Sequence, residues 1–427
     1  MRNVSVFTLM LFFLLFLVAG CSSDTGSTSE GNGSGSDSTN LTFWAPFSGG
    51  DADFMKTMVA DFNEQHEDIQ VDYLTVSDDE YYTKLRTSIT SNQAPEIAIA
   101  HSSRIAELQS ANLIESLNNP ASEAGLDWST YNENVVNSAM VDDQHYGVPL
   151  DTHAEIMFVN KKILDEAGVL NESGLPEIGE GAEGFTEFLT QIKENTGKEI
   201  FPLSATSSGN QPRWVWWSLY SQLGGELLSE DGTKVAFNNE KGLQALQYMG
   251  ELIDQGLWPK NIQDGGELFL ANRGGIHFNG VWMTGAIEQN ESLDFVALPF
   301  PQLFDEPATW GDSHTFALPV SEGKTEEEKV AALKFADWIA ENAITWAEAG
   351  HIPSKTAVTE SEEFQALPYR KDYAEIIDYV SFMPPSKHMT AINDALGDQL
   401  SIFTNGGASA QETLDNLEKD LNNILAN

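Results

Sequence analysis

Residues 41–109 alternate strand-like and helix-like patterns, and this alternation constrains the fold more than any other feature of the chain. Leu41 to Ala45 reads as a strand. Residues 51–66 carry Phe54, Met55, Met58, Val59 and Phe62 at helical spacing. Ile69 to Tyr73 alternates apolar and polar residues, as a half-buried strand does. Ser77 and Glu80 have capping-box spacing ahead of a helix running to about Asn92. Glu96 to Ala100 is a third strand, followed by a helix near Ser103 to Gln109. Strand, helix, strand, helix, strand, helix predicts a parallel sheet covered by helices with right-handed crossovers.

Beyond Tyr146 the texture changes, and helices dominate. A strand at Glu155 to Val159 leads into a helix at Lys161 to Ala167. Gly174 to Gly184 reads as loop, and helices are expected at Phe185 to Thr196, Gln211 to Leu223 and Lys241 to Gln255. Thr325 with Glu328, and Ser409 with Glu412, carry the capping-box pattern in front of two further helices.

Upstream of the first strand the chain is of another kind. Arg2 is followed by a nearly unbroken apolar run from Val4 to Val18, then Ala19, Gly20 and Cys21. A charged start, a short apolar core and a small-residue site predict a secretory signal peptide over residues 1–20. Cys21 is the sole cysteine of the chain, and directly after that site it reads as the acceptor of a lipid anchor. Disulfides are excluded for the same reason. Residues 21–40 hold no large apolar side chain beyond the cysteine and predict a tether with an end-to-end distance of roughly 25 Å.

The remainder is too long for one ordinary core, which predicts two domains. Sixty-five acidic against 22 basic residues, a net charge of −43, exclude nucleic acid as a partner, since that needs a basic footprint. The acidity is spread along the chain and reads as a solubility device for a salty or alkaline exterior.

Catalytic signatures are missing. Gly179, Gly181 and Gly184 match Gly-x-Gly-x-x-Gly, but Glu177, Glu180 and Glu183 would repel a pyrophosphate, so this reads as a flexible acidic loop. Gly311 to Thr315 lacks the last glycine of a nucleophile elbow. The eight histidines show no metal-ligand spacing, so no metal or other cofactor is expected, although a site assembled in space stays open. What stands out is a set of tryptophans in polar or glycine-rich settings: Trp44, Trp214, Trp282 and Trp310. Trp216 and Trp217, on the same helix as Trp214, read as core. Flat aromatic faces near Asn, Asp, His and Arg suit a polyhydroxylated ring, whose C–H face stacks while its hydroxyls are hydrogen-bonded.

Several short patterns together resemble a known family. They are Phe43 and Trp44 before a Gly-rich loop, Met58 to Phe62 followed by Ile69 to Val71, and Ala94 to Ile97. Tyr146 to Pro149 with Asn160 and Lys161, Gly224 with Gly225, Asn279 and Gly280 with Trp282, and Gly350 with Ile352 to Ser354 complete the set. Over residues 41–427 the chain resembles the family 1 extracellular solute-binding proteins, the lipoprotein components of carbohydrate ABC importers, in the broad group of maltose-binding protein. The resemblance implies an α/β fold of the periplasmic-binding-protein type II class. Two helix-covered lobes are joined by hinge-crossing segments, with ligand in the cleft. Residues 41–150 plus about 300–350 are expected in one lobe, and 151–299 plus about 351–427 in the other.

It further implies that Trp44, Ser48, His101, Arg104, Asp151, His153, Asn279 and His314 supply polar or flanking contacts to ligand. Trp214 and Trp282 would stack on sugar rings. A histidine stands at 153 where maltose-binding protein has an acid, so the sugar itself is not implied. The expected protein is a monomeric, non-enzymatic receptor on the outer face of the cytoplasmic membrane. It captures an oligosaccharide and passes it to the membrane subunits of an ABC permease. A surface glycoside hydrolase or lyase, and a receptor for a glycerol-phosphate-type solute contacted by Arg104, Lys84 or Arg213, are the alternatives.

Overall fold

A computed structural model describes residues 38–426. The expected signal peptide, Cys21 and most of the tether lie outside the described residues. The first strand, β1 (Thr39–Ala45), opens earlier than the sequence pattern suggested, because Thr39 and Asn40 already pair with Ile69 and Gln70 of β2 (Ile69–Thr75). The polar end of the tether is thus taken into a parallel ladder. A third strand, β3 (Ile97–His101), lies on the other side of β1, also parallel. The helices between them, α1 (Gly49–Gln65) and α2 (Asp78–Thr90), and the following α3 (Ser102–Ser110), match the alternation read from the sequence. One detail differs: Ser77 makes no side-chain cap on α2, and Glu80 instead meets Lys84 at 2.6 Å.

A small hairpin, β4 (Met140–Val141) with β5 (Gln144–His145), precedes β6 (Val148–Pro149), the edge of the first sheet. The chain then enters β7 (Asp151–Asn160), the spine of a second, larger sheet, in which all ten residues are buried. Around β7 stand β8 (Phe201–Leu203), β9 (Gly274–Gly280), β10 (Phe295–Pro299), β11 (Thr309–Asp312), β13 (Ile352–Pro353) and β14 (Val380–Phe382). The strand β12 (His314–Ala317) returns to the first sheet, whose order is β2-β1-β3-β12-β6. The larger sheet runs β14-β11-β7-β9-β8, with β10 and β13 also on β7.

The central strands of both sheets are buried on both faces, as in helix-covered sheets. In β3, Ile97 and Ile99 enter one apolar cluster with Phe43 and Phe335, while Ala98 and Ala100 enter another with Tyr81 and Leu85. In β7, Met157 and Val159 join the largest cluster with Trp216, Trp217 and Trp258. Ile156 and Phe158 point the other way, toward Phe269 and Phe295. Two lobes, each with its own sheet and core, follow. The backbone passes between the sheets at Leu150, at Ser313, and through Gly350 and His351 into β13. These crossings are laced together: the Leu150 amide donates to the His314 carbonyl at 2.8 Å, and the Ser354 hydroxyl to the Pro149 carbonyl at 2.7 Å.

The acidic glycine segment is not a flexible loop. Gly181 and Gly184 lie in the first turn and a half of a helix at Gly181–Asn195. A side chain at Gly184 would sit 2.2 Å from the carbonyl carbon of Gly179, so these glycines permit backbone against backbone. Both capping boxes read at Thr325 and Ser409 are formed. Among the described residues no helix is long and apolar enough to cross a membrane.

Candidate ligand-binding cleft

The site follows from one strand whose character changes along its length. On one face of β7 the residues are Asp151, His153, Glu155, Met157 and Val159, because successive side chains alternate. The apolar end sits in the core. The polar end starts at a crossing between the sheets and makes a floor there.

Neighbouring strands extend this floor. Asp312 of β11 pairs with His153, and Gly280 of β9 pairs with Glu155. Gly280 is required to be small, since a side chain there would lie 1.9 Å from the Trp282 ring. The glycine thus lets Trp282 fold back over the floor. Trp214, from the helix Asn210–Gln222, stacks on Trp310 of β11 at 4.5 Å and 21°. It meets Trp282 edge-on at 5.4 Å. Trp282 and Trp214 are half-buried, whereas Trp310 is nearly covered. Trp282 also lines a cavity of about 470 Å³ with Gly50, Asp51 and Phe54 of α1 and Arg370. That size is in the usual range for a small-ligand cleft. Trp216 and Trp217 are core residues, as their spacing suggested.

Beneath the tryptophans lies a polar node. Asp151 accepts from the His314 amide at 3.0 Å, the His314 Nδ1 at 2.8 Å and the Trp346 Nε1 at 2.6 Å. His153 Nδ1 stands 3.3 Å from the same carboxylate, and His351 Nδ1 stands 3.4 Å away. Burial would raise the Asp151 carboxyl, but His314, His351 and the ring hydrogen bonds outweigh it and hold it well below the usual range. Burial pushes His314 down to about 3, against the pull of Asp151. In His351 the net direction reverses: burial opposes the charged ring, but Asp51 and Asp151 together raise it above the usual value. Asp312 is buried and accepts from the Ser102 hydroxyl at 2.7 Å, the Ser103 amide at 3.0 Å and the Ser103 hydroxyl at 2.5 Å. It therefore ties β11 to the start of α3 across the crossing. Burial drives the Glu155 carboxyl well above its usual range, although Gln211 and Ser218 bond to it.

The structure brings His101, Asp151, His153, Trp214, Trp282 and His314 together. His101, at the end of β3, has its ring 4.9 Å from His314 and 5.6 Å from His153. Arg104 stands close by on α3, with its guanidinium 4.4 Å above Tyr82 and 3.3 Å from Glu107. The remaining expected residues are placed differently. Asn279 bonds His277 at 3.1 Å, on the face of β9 opposite Phe278, and so turns away from the tryptophan floor. Trp44 is half-buried beside Tyr81 and Leu85. Ser48 is exposed at the start of α1 and lines a separate groove with Lys56 and Tyr73. His351, Trp346 and Glu155 were not singled out by sequence reasoning. Glu155 shares the alternation of Asp151 and His153, which would have revealed it, but nothing in the sequence links His351 to position 151.

Residues 57–372 match the profile of the bacterial extracellular solute-binding proteins. The chain belongs to this family. Family members are extracytoplasmic binding proteins, and the two-lobed α/β fold with its cleft is theirs. The chain is 28% identical over 219 residues to an arabinooligosaccharide-binding protein of Halalkalibacterium halodurans, an alignment covering 50% of this chain and 46% of that one. The matched region therefore spans about half the length of that curated relative. In structure it is similar to a cyclic α-maltosyl-1,6-maltose binding protein from Arthrobacter globiformis, with a TM-score of 0.77 and 23% identity over 91% of this chain and 99% of that one. It is similar too to UgpB from Mycobacterium tuberculosis in complex with glycerophosphocholine, with a TM-score of 0.79 and 16% identity over 91% and 99%.

Proposed function

We propose that this solute-binding protein captures an oligosaccharide in the cleft and delivers it to the membrane subunits of an ABC importer, acting as a monomer without catalysis. The observation that carries the reading is the floor itself. The half-buried Trp282 ring stands 5.8 Å from His153, which in turn meets the His101 ring at 5.6 Å and pairs with Asp312, so stacking surface and hydrogen-bonding groups converge in one place. The arabinooligosaccharide- and maltose-type specificities of the relatives point to the same ligand class. Two of the three basic groups suggested for a phosphodiester are engaged elsewhere, Arg104 with Glu107 and Lys84 with Glu80, while Arg213 is buried and donates to Asn210 at 3.2 Å. The crossings near Leu150, Ser313 and Gly350 support a hinge beneath the cleft, with closure as a rotation of the lobes about them. Lipid attachment at Cys21 completes the proposal, holding the receptor on the outer face of the cytoplasmic membrane.

A thermal-shift and calorimetric screen over malto-oligosaccharides, arabino-oligosaccharides and glycerophosphodiesters tests the ligand class. At least one oligosaccharide should raise the melting temperature and titrate at one site, and should be recovered uncleaved. Binding confined to the phosphodiesters, or cleavage of the sugar, would overturn the proposal. For the anchor, Cys21→Ala should lose radiolabelled lipid; processing and membrane retention unchanged from wild type would contradict it.

A further inference from the structure

Asp151, His153, His314 and His351 do more than line a sugar cleft. Each offers one ligand atom, and these atoms all lie within 4.8 Å of one another. The Asp151 oxygens stand 2.8 Å from His314 Nδ1, 3.3 Å from His153 Nδ1 and 3.4 Å from His351 Nδ1. Tetrahedral coordination with bonds of about 2.0–2.1 Å separates ligand atoms by roughly 3.3–3.4 Å. The His153 and His351 nitrogens thus already stand at about that spacing from the carboxylate, the His314 nitrogen is closer, and a bound ion would draw together the remaining ligand atoms, which lie within 4.8 Å of one another.

Hydrogen bonding alone leaves the cluster incomplete. The Nδ1 of His351 is fully buried and has no hydrogen-bond partner, although it faces the Asp151 carboxylate. A buried, unpartnered ring nitrogen costs free energy unless something else engages it. The other nitrogen of that ring, Nε2, stands 3.3 Å from an Asp51 oxygen. A carboxylate behind one nitrogen, with the second directed inward, is the arrangement that orients metal-ligating histidines. Trp346 fixes the same ring by stacking on it at 4.6 Å and 9°, and its Nε1 holds Asp151. The ligand atoms come from all three crossings between the lobes. Asp151 and His153 follow the first, His314 follows the second and His351 lies in the third.

From this geometry we infer that Asp151, His153, His314 and His351 form a binding site for one divalent transition-metal ion of the zinc class, joining the three crossing segments at the base of the cleft. Three imidazoles and one carboxylate suit zinc, cobalt or nickel, whereas magnesium and calcium require a set made mainly of oxygens. The inference is independent of which solute the cleft takes.

The full chain, stripped with a chelator and held at mildly alkaline pH, is titrated with zinc chloride and with cobalt chloride. Excess magnesium chloride occupies surface carboxylates. The expected result is one zinc retained per chain after desalting, a raised melting temperature, and the intense visible absorption of four-coordinate cobalt. His351→Ala and His153→Ala should each lose the retained zinc, while His388→Ala, outside the node, should keep it. Asp51→Asn should weaken zinc ten- to a hundredfold and leave the cobalt spectrum four-coordinate, which a purely structural role would not produce. Should the histidine variants fail to fold, the wild-type cobalt spectrum decides. Failure to retain zinc, a weak six-coordinate cobalt spectrum, or equal zinc in wild type and His351→Ala would each overturn the assignment.

Discussion

Trp214, Trp282 and Trp310 come from three separate elements of the larger lobe, and two of them keep part of their ring surface uncovered. A few ångströms away, Asp151, His153, His314 and His351 are almost completely enclosed, with exposures of 0%, 5%, 7% and 1%. The two regions solve opposite problems. An aromatic shelf keeps an apolar face near water, where a ligand can cover it. The polar node keeps charge away from water and needs internal partners in return. On the proposed reading the shelf serves binding: Trp214 and Trp282 only pack against the core cluster that buries Trp216 and Trp217, although Trp310 belongs to it. The node has no such separation, for its carboxylate fastens the crossings that join the lobes. Substitutions on the shelf should therefore act on affinity, and substitutions in the node on stability.

The largest effect expected is on stability. Asp151→Ala removes the acceptor shared by Trp346 and His314, leaving buried donors unpaired. Denaturant unfolding should show a loss of about 3–5 kcal/mol. Trp216→Ala, a core deletion, should cost a similar ~3–5 kcal/mol. A loss under about 1 kcal/mol for Asp151→Ala would erase the contrast between node and shelf.

A smaller effect separates the node from a histidine buried without a hydrogen-bonded carboxylate. His277 lies between Phe158 and Phe269, and burial pushes it down to about 4, against the Ser204 carbonyl and Asp264. Its folded value is below its unfolded one, so the unfolded chain takes the proton first. Stability is full above about pH 6.5 and falls through pH 4, by up to roughly 3 kcal/mol from this residue. His277→Asn keeps a donor for Ser204 but cannot titrate in this range. Its unfolding free energy should fall less steeply over that window than the wild-type value; parallel curves would refute the assignment.

On the shelf, Gly280→Ala should displace the Trp282 ring it would strike. Oligosaccharide affinity should drop about tenfold, or about 1.4 kcal/mol, by calorimetry. An unchanged affinity would show that the position of Trp282 does not matter.

Much of this was legible in the chain. The alternation from β1 to α3, the helix at Lys161–Ala167 and both formed capping boxes rest on local patterns, and the structure keeps them. The half-buried position of Trp214 and Trp282 was legible, because glycine-rich and polar surroundings are poor core settings. The misses have physical causes. Asn279 is adjacent to Gly280 in sequence, but strand alternation sends it to the other face. Ser77 has the spacing of a cap, yet Glu80 engages Lys84 instead. The resemblance pointed to Asp151, His153 and His314, but His351 was hidden because positions 151, 314 and 351 meet only through three crossings between sheets, and no residue spacing encodes such a meeting.

The central claim is that the tryptophan shelf holds a sugar. The most direct measurement is calorimetric titration of the best oligosaccharide from the screen into wild type, Trp282→Ala and Trp214→Ala, with unfolding curves for each. Stacking is worth on the order of 1–3 kcal/mol, so each variant should bind roughly ten- to a hundredfold more weakly. Stability should fall well short of the ~3–5 kcal/mol of a core tryptophan deletion. Wild-type affinity in both variants, accompanied by a core-sized loss of stability, would contradict the account.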